Sequence, residues 1–100
     1  MMSATAAASV LITHEVGLHA RPSVKFTKLA KTFPAQVEMA LDAGGPWIDA
    51  KSIVKVMAAK APKGTTIHLR AEGEGADAAL EALVDLVARD FDEGGHARSA

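Results

Sequence analysis

Strict alternation of apolar and polar residues in two short stretches constrains this chain more than any other feature. In residues 35–42, Val37, Met39 and Leu41 alternate with Gln36, Glu38 and Ala40; in residues 65–71, Ile67, Leu69 and Ala71 alternate with Thr66, His68 and Arg70. Successive side chains of a strand point to opposite faces, so each stretch predicts a strand with one buried and one wet face. A sheet built from such strands needs covering on one side only. Two helical stripes are available to cover it. Pro22, Phe26, Leu29, Ala30 and Phe33 recur at helical spacing over residues 20–32, with Lys25, Lys28 and Lys31 on another face, and Leu80, Leu83, Val84, Val87 and Phe91 form a second stripe behind a candidate cap, Asp77.

The remaining segments fit between these. The β-branched and aliphatic residues 9–13 predict a first strand, and Trp47-Ile48-Asp49 returns as a short strand after the turn Ala43-Gly44-Gly45-Pro46. Residues 51–59 carry Ile53, Val54, Val56 and Met57 on a short helix that Asp49 or Ser52 could cap. Phe33-Pro34 ends the first helix, because a residue before proline is pushed toward extended geometry, and Pro62-Lys63-Gly64 breaks the chain again. The order strand, helix, hairpin, helix, strand, helix predicts an α+β domain, an antiparallel sheet with its helices packed on one face. The patterns leave the strand order open. One hundred residues support a single small core. Residues 1–8, rich in alanine, are expected to form a disordered extension, residues 9–92 the domain, and residues 93–100 a frayed tail.

Charge is distributed unevenly. Nine of the eleven basic residues lie between Arg21 and Arg70, and eight of the twelve acidic ones between Glu72 and Glu93. The net charge of −1 argues against a general nucleic-acid binder, whereas the asymmetry predicts a basic surface suited to acidic protein partners. No cysteine is present, so disulfides and thiolate metal sites are excluded. The four histidines show no metal-ligand spacing, and neither a metal nor a cofactor is expected. No apolar run reaches the length of a membrane span, and residues 1–8 lack the basic leader and hydrophobic core of a signal peptide, so cytoplasmic residence is expected.

The stretch Gly17-Leu18-His19-Ala20-Arg21-Pro22 places a histidine where an extended segment becomes a helix. Pro22 suits a first helical turn. The backbone N–H groups of that turn, with Arg21 beside them, would bind an anion next to the His19 imidazole. The same residues also fit a plain turn at Gly17, a capping His19 and a surface Arg21.

With these residues in place, the chain resembles the histidine phosphocarrier protein (HPr) family of the bacterial phosphoenolpyruvate-dependent sugar phosphotransferase system. The resemblance spans most of residues 9–92. It is anchored by Gly17 to Pro22, by Ala50-Lys51-Ser52-Ile53 through Val56-Met57, and by Gly64 through Ala71-Glu72-Gly73. It implies an open-faced β-sandwich, a four-stranded antiparallel sheet covered on one face by three helices in the order β-α-β-β-α-β-α. It implies that His19 accepts a phosphoryl group from phosphorylated enzyme I and passes it to IIA-type domains. Arg21 and the backbone of Ala20 and Arg21 would hold the phosphoryl oxygens. An imidazole with its usual pKa of about 6.5 is a competent nucleophile at neutral pH, and phosphoryl transfer asks chiefly for positioning and charge stabilisation.

The resemblance further implies that Ser52 is a regulatory phosphorylation site for a serine kinase and phosphorylase. The bland reading of Ser52 is a helix cap. Partner docking is expected to involve Pro22, Lys28, Lys51, Ile53, Val54 and Met57, with Lys55 a further rim charge, Val54 and Met57 exposed, and Ile53 and Val56 turned inward. A monomer is expected. Four departures from the family pattern stand out: His14 where asparagine is common, Ser23 in place of alanine, a longer turn at Ala43 to Pro46, and Lys60 where glycine often ends the short helix. Two other readings stay open, a regulatory module whose state at His19 or Ser52 controls other proteins, and a domain of a larger phosphotransferase polypeptide.

Overall fold

The computed structural model describes residues 5–13, 20–89 and 91. Its elements are β1 (Thr5–Leu11), α1 (Ala20–Lys31), β2 (Gln36–Ala40), β3 (Ile48–Asp49), α2 (Ile53–Ala59), β4 (Thr66–Glu72) and α3 (Ala76–Ala88). The sheet has the order β1-β4-β2-β3 with every pair antiparallel, so the last strand of the chain is inserted between the first two. β4 pairs along its length with β1, from Thr5 opposite Glu72 to Leu11 opposite Thr66, and on its other side with β2, from Gln36 opposite Glu72 to Ala40 opposite His68. This is the expected open-faced architecture. The strand order rests on contacts distant in sequence.

The alternation predicted for β4 holds, and that for β2 holds except at Ala40, which the pattern puts on the wet face but which is buried at the end of the strand. Val37, Met39, Ile67, Leu69 and Ala71 are buried, and they meet Phe26 and Ala30 of α1, Val56 of α2, and Leu80, Leu83 and Val87 of α3 in one core. On the opposite face Arg70 donates to Glu38 at 2.7 Å and stacks 4.1 Å from the centroid of the Trp47 ring. Both partners of that ion pair are substantially exposed, so it contributes little to stability and serves to cover the sheet.

Three boundaries differ from the sequence reading. Strand β1 reaches back to Thr5, so residues 5–8 belong to the sheet and not to a disordered extension. Alanine has weak strand propensity, but the matching seven-residue length of β4 supplies a partner for every residue, and such tertiary pairing overrides propensity. Helix α3 is capped by Gly75, in a left-handed conformation at φ 80°, while Asp77 lies inside the first turn, where its carboxylate favours the helix dipole. Phe91 lies beyond the end of α3, yet it is fully buried, so its place in the apolar stripe survives the loss of helical geometry.

Lys60 resolves the departure at the end of α2. It adopts the left-handed C-cap conformation, φ 51° and ψ 45°, and its N–H donates to the Met57 carbonyl at 3.2 Å. A side chain there clashes with its own backbone, a cost of about 1–2 kcal/mol that glycine avoids, offset in part by the greater chain entropy glycine loses on folding. Lys60→Gly is therefore expected to stabilise the fold by about 0.5–1 kcal/mol, read as a higher midpoint in urea denaturation; a lower midpoint would contradict this account of the cap.

Candidate functional site

Helix α1 begins at Ala20, the residue after His19. His19 itself, with His14, Gly17 and Leu18, lies outside the described residues. The first turn of α1 contains no acidic residue, and its last turn carries Lys28 and Lys31, which complement the dipole at that end. Amides of a first helical turn, here including those of Ala20 and Arg21, have no intrahelical acceptor. They therefore give the start of α1 the electrostatics of an anion site. Pro22 removes one N–H where none is needed.

The two faces of α1 separate by residue type. Arg21, Val24, Lys28 and Lys31 are exposed at spacings of three, four and three, forming one outward stripe. Pro22, Ser23, Phe26, Thr27 and Ala30 are buried. Pro22 was expected among the docking residues; its side chain is buried, so its role is to start and anchor the helix. Lys25 leaves the lysine face, since its ammonium donates to the Phe91 carbonyl at 2.9 Å and ties α1 to the end of the domain. Val24, 42% exposed, was missed in the sequence because it falls out of phase with the core stripe; that mismatch is itself the signal for an outward apolar residue.

Ser23 answers another departure. Its side chain is fully buried, and its Oγ has no hydrogen-bond partner among the described residues. It lies on the buried side of α1, away from the outward stripe. A buried, unsatisfied hydroxyl costs about 1–3 kcal/mol. Ser23→Ala is expected to raise stability by about 1 kcal/mol, measured by urea denaturation; a loss of stability would show that the hydroxyl has a partner in solution.

Helix α2 packs on α1 and begins at Ser52. Ser52 is the N-cap, with extended backbone and an Oγ that accepts from the Lys55 N–H at 3.3 Å. Asp49, the other candidate cap, accepts from the Lys51 N–H at 2.9 Å and stabilises the turn before the helix. Val56 is fully buried, Ile53 is partly buried, and Val54 and Met57 are 73% and 39% exposed. The Lys51 ammonium donates to the Phe33 carbonyl at 2.7 Å, holding the entry to α2 against the end of α1. Lys28 and Lys55 point to solvent. The structure thus brings exposed cations and exposed apolar side chains together on two adjoining helices, with a hydroxyl at the start of one and the residue after His19 at the start of the other. Among the described residues, no helix is long and apolar enough to cross a membrane.

Comparison with known proteins agrees with this geometry. Residues 6–89 match the family model described as the PTS HPr component phosphorylation site. The phosphocarrier protein HPr of Pseudomonas aeruginosa is 44% identical over 88 residues, which cover 88% of this chain and 97% of that one. The crystal structure of HPr from Thermoanaerobacter tengcongensis superposes with a TM-score of 0.81 at 33% identity, covering 88% of this chain and 97% of that one. The Bacillus subtilis catabolite repression protein Crh is similar as well, at 35% identity and a TM-score of 0.66 over 80% of this chain and 90% of that one. A family match across nearly the whole domain, on the fold that places a helix start directly after His19, means that the chain belongs to the HPr family of phosphotransferase-system phosphocarrier proteins.

Proposed function

We propose that this chain accepts a phosphoryl group on His19 from phosphorylated enzyme I and delivers it to IIA-type domains. The observation that carries the reading is the start of α1 at Ala20, with an acid-free first turn and an exposed Arg21, in a chain of this family. The imidazole nitrogen attacks phosphorus, a P–N bond forms as the donor's bond breaks, and the three phosphoryl oxygens keep their charge throughout. Helix amides and the Arg21 guanidinium lower the cost of that charge. They must bind it loosely enough to let it go, since a carrier has to release its load. The outward stripe of α1 and the exposed Val54 and Met57 form the docking surface, with Lys28 and Lys55 steering acidic partners. The test is incubation with enzyme I, magnesium and labelled phosphoenolpyruvate: one acid-labile label per chain, lost on addition of a IIA-type domain, supports the relay, and no incorporation overturns it.

Ser52 carries a second, regulatory reading. Its position as a partly exposed N-cap on the same surface means that a phosphate there would gain from the helix start while adding about −1.5 to −2 charges where acidic partners dock. Ser52→Asp is expected to slow phosphoryl acceptance from enzyme I by about tenfold or more, equivalent to at least about 1.4 kcal/mol. A rate equal to that of the parent would remove the basis for regulation through this serine.

A further inference from the structure

We infer that the free edge of β1, with the groove between it and α3, is a docking site for an extended basic segment of a partner protein. β1 is the terminal strand of the sheet and is hydrogen-bonded to β4 alone among the described residues. Its outer edge therefore presents a row of backbone donors and acceptors for one further strand. Edge strands are normally blunted by charged side chains, proline or a covering element, yet Thr5–Leu11 reads TAAASVL, with neither charge nor proline.

The floor beside this edge is incompletely covered. Ala6, Ala8 and Val10 face the core but remain partly exposed, whereas their counterparts on the central strand, Ile67, Leu69 and Ala71, are buried. Together with Leu80 and Val84 of α3, Ala6 and Ala8 line a groove of about 590 Å³. An added strand with alternate apolar side chains would fill it.

Charge selects the occupant. Asp77, Glu81 and Asp85 line the α3 side of the groove at spacings of four residues, so their carboxylates run in a row along the edge. Asp85 is partly answered by Arg89 at 3.0 Å, in a solvent-exposed pair. A second copy joined antiparallel through β1 in one continuous sheet would bring its own α3 to the same side of the seam, setting two acidic rows against each other. The row thus guards the edge against self-pairing and favours a strand that alternates lysine or arginine with apolar residues. This surface lies on the acidic part of the sequence, distinct from the basic helices α1 and α2, so a partner held here leaves the start of α1 open.

The probe is an acetylated, amidated hexapeptide alternating lysine and valine, titrated into the full chain at low salt while backbone amide shifts are followed by NMR. Saturable shifts confined to Thr5–Leu11 and the facing turns of α3 are expected. The exposed substitution Glu81→Lys should weaken binding by about fivefold, whereas Asp42→Lys, on the remote hairpin turn, should leave it unchanged. A peptide alternating glutamate and valine should not bind. Shifts centred on α1 and α2, equal binding of both peptides, or no saturation at millimolar peptide would overturn the proposal. Concentration-dependent dimerisation through β1, seen by sedimentation, would overturn it in favour of a second copy as the occupant.

Discussion

Replacing His19 with alanine is expected to abolish phosphoryl acceptance while leaving the fold intact. The residue precedes α1, and the core of the described residues is built by other side chains, Phe26, Ala30, Ile67, Leu69 and Leu83 among them. The loss should be complete, because among the described residues no other side chain in the first turn of α1 offers a nucleophile: Arg21 is cationic and the Ser23 hydroxyl is buried. Arg21→Ala provides the contrast. It removes charge-assisted hydrogen bonds of about 1.5–3 kcal/mol from a site that retains its helix amides, so transfer should slow by about ten- to a hundredfold and still reach completion. The measurement is label incorporation from phosphoenolpyruvate with enzyme I, alongside circular dichroism to verify folding. Equal, total loss in both variants would mean that Arg21 is as indispensable as the acceptor, and label retained by His19→Ala would place the chemistry elsewhere.

The second large effect is on stability. Phe26 is completely buried on the core face of α1, and it is the largest side chain that the helix contributes to the core. Truncation to alanine removes most of an aromatic ring from a close-packed interior, and such changes cost about 3–5 kcal/mol through lost transfer energy and the cavity left behind. A domain of this size has only about 5–15 kcal/mol in hand. Phe26→Ala should therefore lower the urea midpoint severely, whereas Phe26→Leu, which keeps most of the apolar volume, should cost much less. Because α1 is also the element whose first turn follows His19, the alanine variant should lose phosphoryl acceptance in proportion to its unfolded fraction. A midpoint within error of the parent would show that α1 is not fixed by this contact.

Much of this architecture is legible residue by residue. The alternation of Val37 with Glu38 and of Ile67 and Leu69 with His68 states which face each strand buries, and the structure agrees. The stripe from Leu80 to Val87 likewise identifies the core side of α3. These signals are local, set by the period of a strand or helix. What was not legible depended on contacts remote in sequence. The pairing of Thr5–Leu11 with β4 draws four residues of an alanine-rich start into the sheet, and no local preference announces it. The strand order, the buried position of Pro22, and the use of Lys25 and Lys51 to hold carbonyls of Phe91 and Phe33 are of the same kind. Backbone conformation was the other gap: Lys60 takes a left-handed cap usually given to glycine, and Gly75 takes the cap position that Asp77 suggested.

The site itself divides in the same way. The motif from Gly17 to Pro22 marks the helix start that the structure shows at Ala20, beside the proposed acceptor His19, and Ser52 is legible as a cap because its hydroxyl stands before an apolar helical run. The exposed side of α2 was less legible, since an apolar residue on a seven-residue helix can face either way, and only packing distinguishes the buried Val56 from the exposed Val54.

The most direct measurement is the position of the phosphoryl group after reaction with enzyme I and phosphoenolpyruvate, read by phosphorus NMR and by mass spectrometry under non-acidic conditions. The account predicts one phosphoryl group per chain, bonded to a ring nitrogen of His19 and removed by a IIA-type acceptor. A phosphoryl group on any other residue, or one on His19 that no acceptor removes, would contradict it.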